Sequence, residues 1–193
     1  MIARREDEIL AVATGFFARH GYRQTDVQEI ADALGIGKGT VYRYFATKEA
    51  LFFAAVDRGM REHVAAVAAE VQPVADALER MVAAVHAYLR FFDEHPDLLE
   101  LIIQERAEFK DRKKPTYLIH RDENIGEWRV LIESLIEAGR VRRVPVDRIL
   151  DVMSYTLYGA IFTNHFASEP RCFDCQADEI LDIVFDGILL PAA

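Results

Sequence analysis

The chain has 193 residues, 51% of them hydrophobic, with a formal net charge of −9 and only two cysteines. That length allows one large or two small domains with a sizeable core, and two cysteines are too few for a disulfide framework. Residues 1–50 hold seven basic and seven acidic side chains, so the remainder, with 16 basic and 25 acidic, carries the whole −9. An acidic body repels phosphates but leaves the neutral N-terminal end open to them, so overall acidity does not exclude a polyanionic partner there. The N-terminus, MIARREDEIL, lacks the apolar stretch of a signal peptide. The longest uncharged run, 152–168, is interrupted by polar residues and falls short of a membrane span. A soluble, cytoplasmic protein is expected, with no membrane partner.

Residues 4–20 read as a first helix, with Ile9, Val12, Ala13, Phe16 and Phe17 on one side and Gly21 at its end. Phe16 and Phe17 are placed to cover the core of the next two helices. The stretch Thr25 to Phe52, TDVQEIADALGIGKGTVYRYFATKEALF, is the most patterned in the chain. Val27, Ile30, Ala31 and Leu34 recur at helical spacing. Thr25 and Gln28 are spaced as a capping box, and Gly35 suits the left-handed end of a helix. Gly37 can cap a second helix, Lys38 to about Phe45, with Ile36 and Val41 at the positions of a hydrophobic staple. Thr47 caps a third, with Glu49 at its positive end, running to about Val71 before Pro73 stops it. This is a helix-turn-helix pattern. Its second helix offers Lys38, Thr40, Tyr42, Arg43 and Tyr44, with Gly37 and Gly39 to let the backbone come close. That set suits phosphates and base edges.

The rest of the chain also reads as helix. Expected spans are about 74–94, 96–109, 117–138, 145–167 and 177–190, with a charged loop at 110–115 and no repeat. Ile149, Val152, Met153, Tyr155, Leu157, Tyr158, Ile161 and Phe162 spread apolar surface widely round one helix. Ile180, Leu181, Val184, Phe185, Ile188 and Leu189 do so on the last. A helix apolar on more than one side is central to its own fold or pressed on a partner. The Cys172-x-x-Cys175 pair reads as part of a loop, with free thiols, zinc binding and redox sensing as its three readings. No metal site, cofactor or catalytic residue is expected. The six histidines show no zinc-binding spacing, and no nucleophile elbow or P-loop occurs.

The stretch from Thr25 closely resembles the DNA-binding signature of the TetR (tetracycline-repressor) family, roughly T-x-x-x-I-A-x-x-x-G-[VI]-S-x-G-[TS]-x-Y-x-[YH]-F-x-[ST]-K-E-x-L. It departs clearly only at Gly37, where the family usually has a serine N-cap. The resemblance implies an all-α fold. A three-helix helix-turn-helix DNA-binding domain, 1–50, would be continuous with a helical bundle, 51–193, that binds an effector and dimerises. It implies phosphate anchoring by Thr25 and Lys48, backbone contacts by Thr40 and Tyr42, base-edge contacts by Lys38 and Tyr44, and either by Arg43, with Gly39 allowing close approach. It further implies a homodimer through 145–167 and 177–190 on a palindromic operator in double-stranded DNA, the recognition helices about 34–36 Å apart. An inducer would move the fourth helix. Candidate lining is Phe91, Phe92, Phe109, Tyr117, Trp128, Tyr155, Tyr158 and Phe162, with Glu105 and His120 as polar groups, although for any single aromatic an ordinary core position is the stronger reading. The expected function is a dimeric repressor released by a small hydrophobic or aromatic ligand. The alternative is an architectural or cell-division factor of the same fold without such control.

Overall fold

The computed structural model describes residues 2–188. Among them are nine helices: α1 (Ile2–Gln24), α2 (Val27–Ala33), α3 (Lys38–Tyr44), α4 (Lys48–Val71), α5 (Ala77–Glu94), α6 (Pro96–Glu108), α7 (Thr116–Glu137), α8 (Val146–His165) and α9 (Phe173–Ile188). The fold is all-α, as expected. Leu189, expected on the apolar face of the last helix, lies outside the described residues.

Two compact units form, one from Met1–Glu62 with His95–His120, the other from His63–Glu94 with Arg121–Ala193. The first does not stop at residue 50, because a three-helix unit of that size encloses too little core to stand alone. The first turns of α4 and the whole of α6 complete it. Ile9, Phe17, Ile30, Val41, Leu51, Phe52 and Leu101 are all fully buried there. Phe17 meets Phe52 edge-on, ring centroids 5.1 Å apart, and the Phe17 carbonyl accepts from Gln104 Nε2 of α6 at 2.9 Å. Phe16 does not share this core. It is half-buried, beside His20 and under the Arg19 guanidinium.

The second unit is built round Met81, Ile132, Leu135, Val141, Ile149 and Leu150, with Trp128, Val184 and Phe185 packed on them. Two helix starts differ from expectation. α5 begins at Ala77 rather than 74, because Asp76 Oδ1 accepts the N–H groups of Leu78 and Glu79 at 2.8 and 3.0 Å and so caps the helix there. α9 begins at Phe173 rather than 177: Phe173 is buried, and the Cys172 carbonyl already accepts from Gln176 N–H at 3.1 Å. Cys175 therefore lies in the first turn of a helix and not in a loop, with Cys172 immediately before it.

Candidate nucleic-acid interface

The site begins with how α2 is held. α1 breaks at Gly21, whose φ of 77° lies in the left-handed region, and one more turn follows. The carbonyls this break leaves at Phe16 and Gly21 take the Thr25 hydroxyl at 3.2 and 2.8 Å. Thr25 is 1% exposed, and with its hydroxyl on those carbonyls it does not cap α2. Asp26 is the cap, its Oδ1 accepting from Gln28 N–H at 2.8 Å. At the other end, Gly35 (φ 63°) closes α2. Gly35 N–H reaches the Asp32 carbonyl and Ile36 N–H the Ala31 carbonyl, each at 3.0 Å, the paired bonds of a Schellman motif. The angle between α2 and α3 is thus set by backbone hydrogen bonds that need a glycine.

α3 starts from Gly37, which has extended backbone and no side chain to cap it. Val41 is its buried anchor. Gly39, Tyr42 and Arg43 are exposed, with Lys38, Thr40 and Tyr44 half-exposed, and nothing lies within 4 Å of where a Cβ would stand on Gly39. The Lys38 ammonium donates to Asp26 Oδ1 at 2.8 Å, so one carboxylate oxygen both caps α2 and neutralises the first residue of α3. The Gln28 N–H and then Lys38 hold the Asp26 carboxyl below its usual range, and Asp26 in turn raises Lys38. Arg43 forms no ion pair among the described residues; its guanidinium lies 6.0 Å from the Tyr44 ring centre. Lys48 is less free. Its ammonium donates to the Arg23 carbonyl at 3.0 Å and sits 4.9 Å from the Tyr22 ring centre. Desolvation there lowers its pKa, against the pull of Asp26. Lys48 therefore ties the end of α1 to the start of α4, with two N–H donors left for another partner.

The sequence model for bacterial regulatory proteins of the tetR family matches residues 9–55, which span this helix-turn-helix and the helices either side. This segment is of the TetR family. Like its helix-turn-helix relatives, this chain is a regulator of transcription and not an enzyme. The repressor KstR2 of Rhodococcus jostii is 25% identical over 193 residues, 97% of this chain and 92% of that protein. The activator FasR of Mycolicibacterium smegmatis is 29% identical over 100 residues, 52% of this chain but only 46% of FasR. In fold, the chain is similar to FadR of Bacillus subtilis in its complex with stearoyl-CoA, with a TM-score of 0.80 at 16% identity, covering 93% of this chain and 97% of that one. No described helix is long and apolar enough to cross a membrane.

The effector candidates of this chain fall in both compact units. In the second, Phe91 and Phe92 are buried and close round His63 of α4, ring centroids 5.2 and 5.0 Å away, with Tyr88 edge-on to the same histidine at 4.8 Å. Trp128 packs on the core of that unit. Tyr158 is half-buried and stacks on Phe162. Tyr155 and Phe162, however, are 69% and 37% exposed. Val152, Phe166 and Ile183 are likewise exposed apolar side chains.

In the first unit, Glu105 is 1% exposed, and its Oε1 accepts from Arg112 and from the N–H and hydroxyl of Thr116. That carboxylate holds the connection from α6 to α7. Phe109 packs on Tyr22 and Phe53 at 4.8 and 4.6 Å; both residues are committed to internal structure. Tyr117 and His120 are buried, and His120 Nε2 lies 2.7 Å from Asp57 Oδ1 of α4. Three residues of note escape a reading of the sequence: Asp26, Arg112 and His63. Only Asp26 carries a signal, as a strong capping residue next to another.

Proposed function

We propose that this chain is a homodimeric repressor that binds a palindromic operator through α3 and releases it when a hydrophobic ligand binds its helical body. In this reading, residues 1–50 contact DNA, and residues 51–193 bind effector and dimerise. The observation that carries it is α3 itself, a short helix fixed at both ends whose outward residues are Lys38, Gly39, Thr40, Tyr42, Arg43 and Tyr44. Arg43 and Lys38 supply charge for phosphates or guanine edges, Tyr42 and Thr40 supply hydroxyls and methyl contacts, and Gly39 admits the DNA backbone.

The exposed apolar face of α8 and α9 supports dimerisation, since Val152, Tyr155, Phe166 and Ile183 in water are costly unless covered. Ligand control is supported by the aromatic group round His63 on α4 and by the stearoyl-CoA complex of FadR. α4 supplies Lys48 at one end and His63 further along, so a ligand that moves α4 also moves the start of the DNA-binding helices. Control requires the ligand to prefer the DNA-incompetent arrangement.

The test is operator release. With labelled operator DNA bound, stearoyl-CoA should lower the anisotropy while coenzyme A alone does not, and the same titration should change the emission of Trp128, the single tryptophan. Anisotropy and emission both indifferent to long-chain thioesters would contradict an acyl ligand.

A further inference from the structure

The Cys172/Cys175 pair is a cluster of nucleophilic side chains that the DNA-binding and effector readings leave unused. Both cysteines are exposed, three residues apart, Cys172 just before α9 and Cys175 in its first turn. The turn is built rather than loose. Asn164 is 5% exposed and brackets Arg171: its Oδ1 accepts from Arg171 N–H at 2.7 Å, and its Nδ2 donates to the Arg171 carbonyl at 3.1 Å. Gln176 donates to the same Asn164 oxygen at 3.1 Å. Buried Phe173 and Ala177 anchor the other side. The backbone on both sides of Cys172 is therefore held.

Cys172 occupies the cap position, where a side-chain acceptor faces the free N–H groups of the first turn. Cys175, three residues on, shares that turn, whose N–H groups favour negative charge on the Cys172 sulfur. Interaction with Cys175 lowers the Cys172 thiol, and interaction with Cys172 raises the Cys175 thiol. The Asp174 charge is itself met by His86 at 3.3 Å and Arg90 at 3.6 Å. His86 also meets Asp178 at 3.2 Å, and Arg171 is paired with Glu179 at 2.5 Å. The result is two accessible sulfurs in one turn, the first placed at the helix start where a thiolate is favoured. That is the division of labour between an attacking and a resolving cysteine. No group of three or more metal-binding side chains forms among the described residues.

We propose that Cys172 and Cys175 form a thiol–disulfide switch at the start of α9, oxidised by hydroperoxides. Cys172 Sγ attacks a peroxide oxygen; the S–O bond forms as the O–O bond breaks, and with hydrogen peroxide the departing oxygen leaves as water. Cys175 Sγ then attacks Cys172 Sγ, the S–S bond forms, and the sulfenic oxygen leaves as a second water with the Cys175 proton. Two thiols and one peroxide become one disulfide and two waters, and a dithiol reductant reverses it.

The test uses the reduced full-length protein and hydrogen peroxide, followed by alkylation with iodoacetamide and mass analysis. The expected product has lost the mass of two hydrogens and both alkylation sites together, and dithiothreitol restores them. C175S should stop at a sulfenic acid on Cys172 that dimedone traps. Its remaining thiol should be alkylated at neutral pH faster than that of C172S. Equal alkylation rates in the two variants, a product cross-linked only between chains, or tightly held zinc masking both thiols would each overturn the proposal.

Discussion

A single carboxylate oxygen on Asp26 caps α2 and pairs Lys38. These roles separate under mutation. Asp26→Asn keeps a good cap and removes the charge opposite Lys38, so DNA binding should strengthen and the slope of log K against log salt should steepen by up to about 0.9 per half-site. An anisotropy titration across salt concentrations reads both, and an unchanged slope would mean that Lys38 stays away from phosphate. Asp26→Ala should lower the melting temperature as well, because the cap is lost. Sequence spacing puts the cap one residue early, at Thr25. Thr and Asp are both strong caps, and spacing cannot rank them. The break at Gly21 decides the matter by leaving the Phe16 and Gly21 carbonyls to take the threonine hydroxyl. Asp76 carries the same logic with a pH signature. The Arg140 guanidinium first, and the Glu79 N–H after it, hold its carboxyl below the usual range. A depressed carboxyl contributes stability that is fully present above its unfolded value of about 3.9 and is lost as pH falls through the lower folded value. Asp76→Asn should therefore be less stable than wild type at neutral pH and lose less below about pH 4, as urea midpoints at several pH values would reveal.

The helices themselves are legible where periodicity and glycine stops agree, and least so at their first turns. α2 and α3, and the ends of α4 and α7, lie within a residue or two of where the pattern puts them. α5 and α9 start elsewhere because a cap at Asp76 and the burial of Phe173 decide those turns, and neither is visible in a hydrophobic pattern. Packing between helices is also hidden. Gly59 on α4 gives no sequence signal, yet a Cβ there would stand 2.5 Å from Leu98 Cδ1 of α6. Gly59→Ala gains about 1 kcal/mol of helix propensity, while forcing buried Leu98 aside costs about 1–3 kcal/mol. The net effect should be a loss, relieved in part when Leu98→Ala is added. A double-mutant cycle by chemical denaturation checks the coupling, and a Gly59→Ala variant more stable than wild type would sink this account of the α4–α6 contact. The buried Glu105 is a second such element-scale contact. Arg112→Ala leaves its buried carboxylate with the Thr116 donors but no opposite charge and should cost on the order of 3 kcal/mol.

At the scale of the molecule, the fold class and the DNA-binding end are readable because the residues of α2, the turn and α3 are contiguous. The interleaving of 95–120 with 1–62 is not readable, since it rests on contacts between distant segments such as Gln104 with Phe17. Nor can spacing distinguish a pocket-lining aromatic from a surface one, which is why a sequence pattern groups Tyr155 and Phe162 with Phe91 and Phe92. Their exposure gives them a different part in the proposed dimer. Tyr155→Glu with Ile183→Glu puts charge into that apolar face, and sedimentation should then find monomers that bind operator at least tenfold more weakly; dimers that survive both changes would move the interface elsewhere. The central claim is that α3 reads sequence, and in two copies. Selection of purified protein on random DNA duplexes at one physiological salt concentration tests it most directly. An inverted repeat, with half-site centres one helical turn or a multiple of it apart, is the predicted result. Duplexes retained without any sequence preference would contradict it.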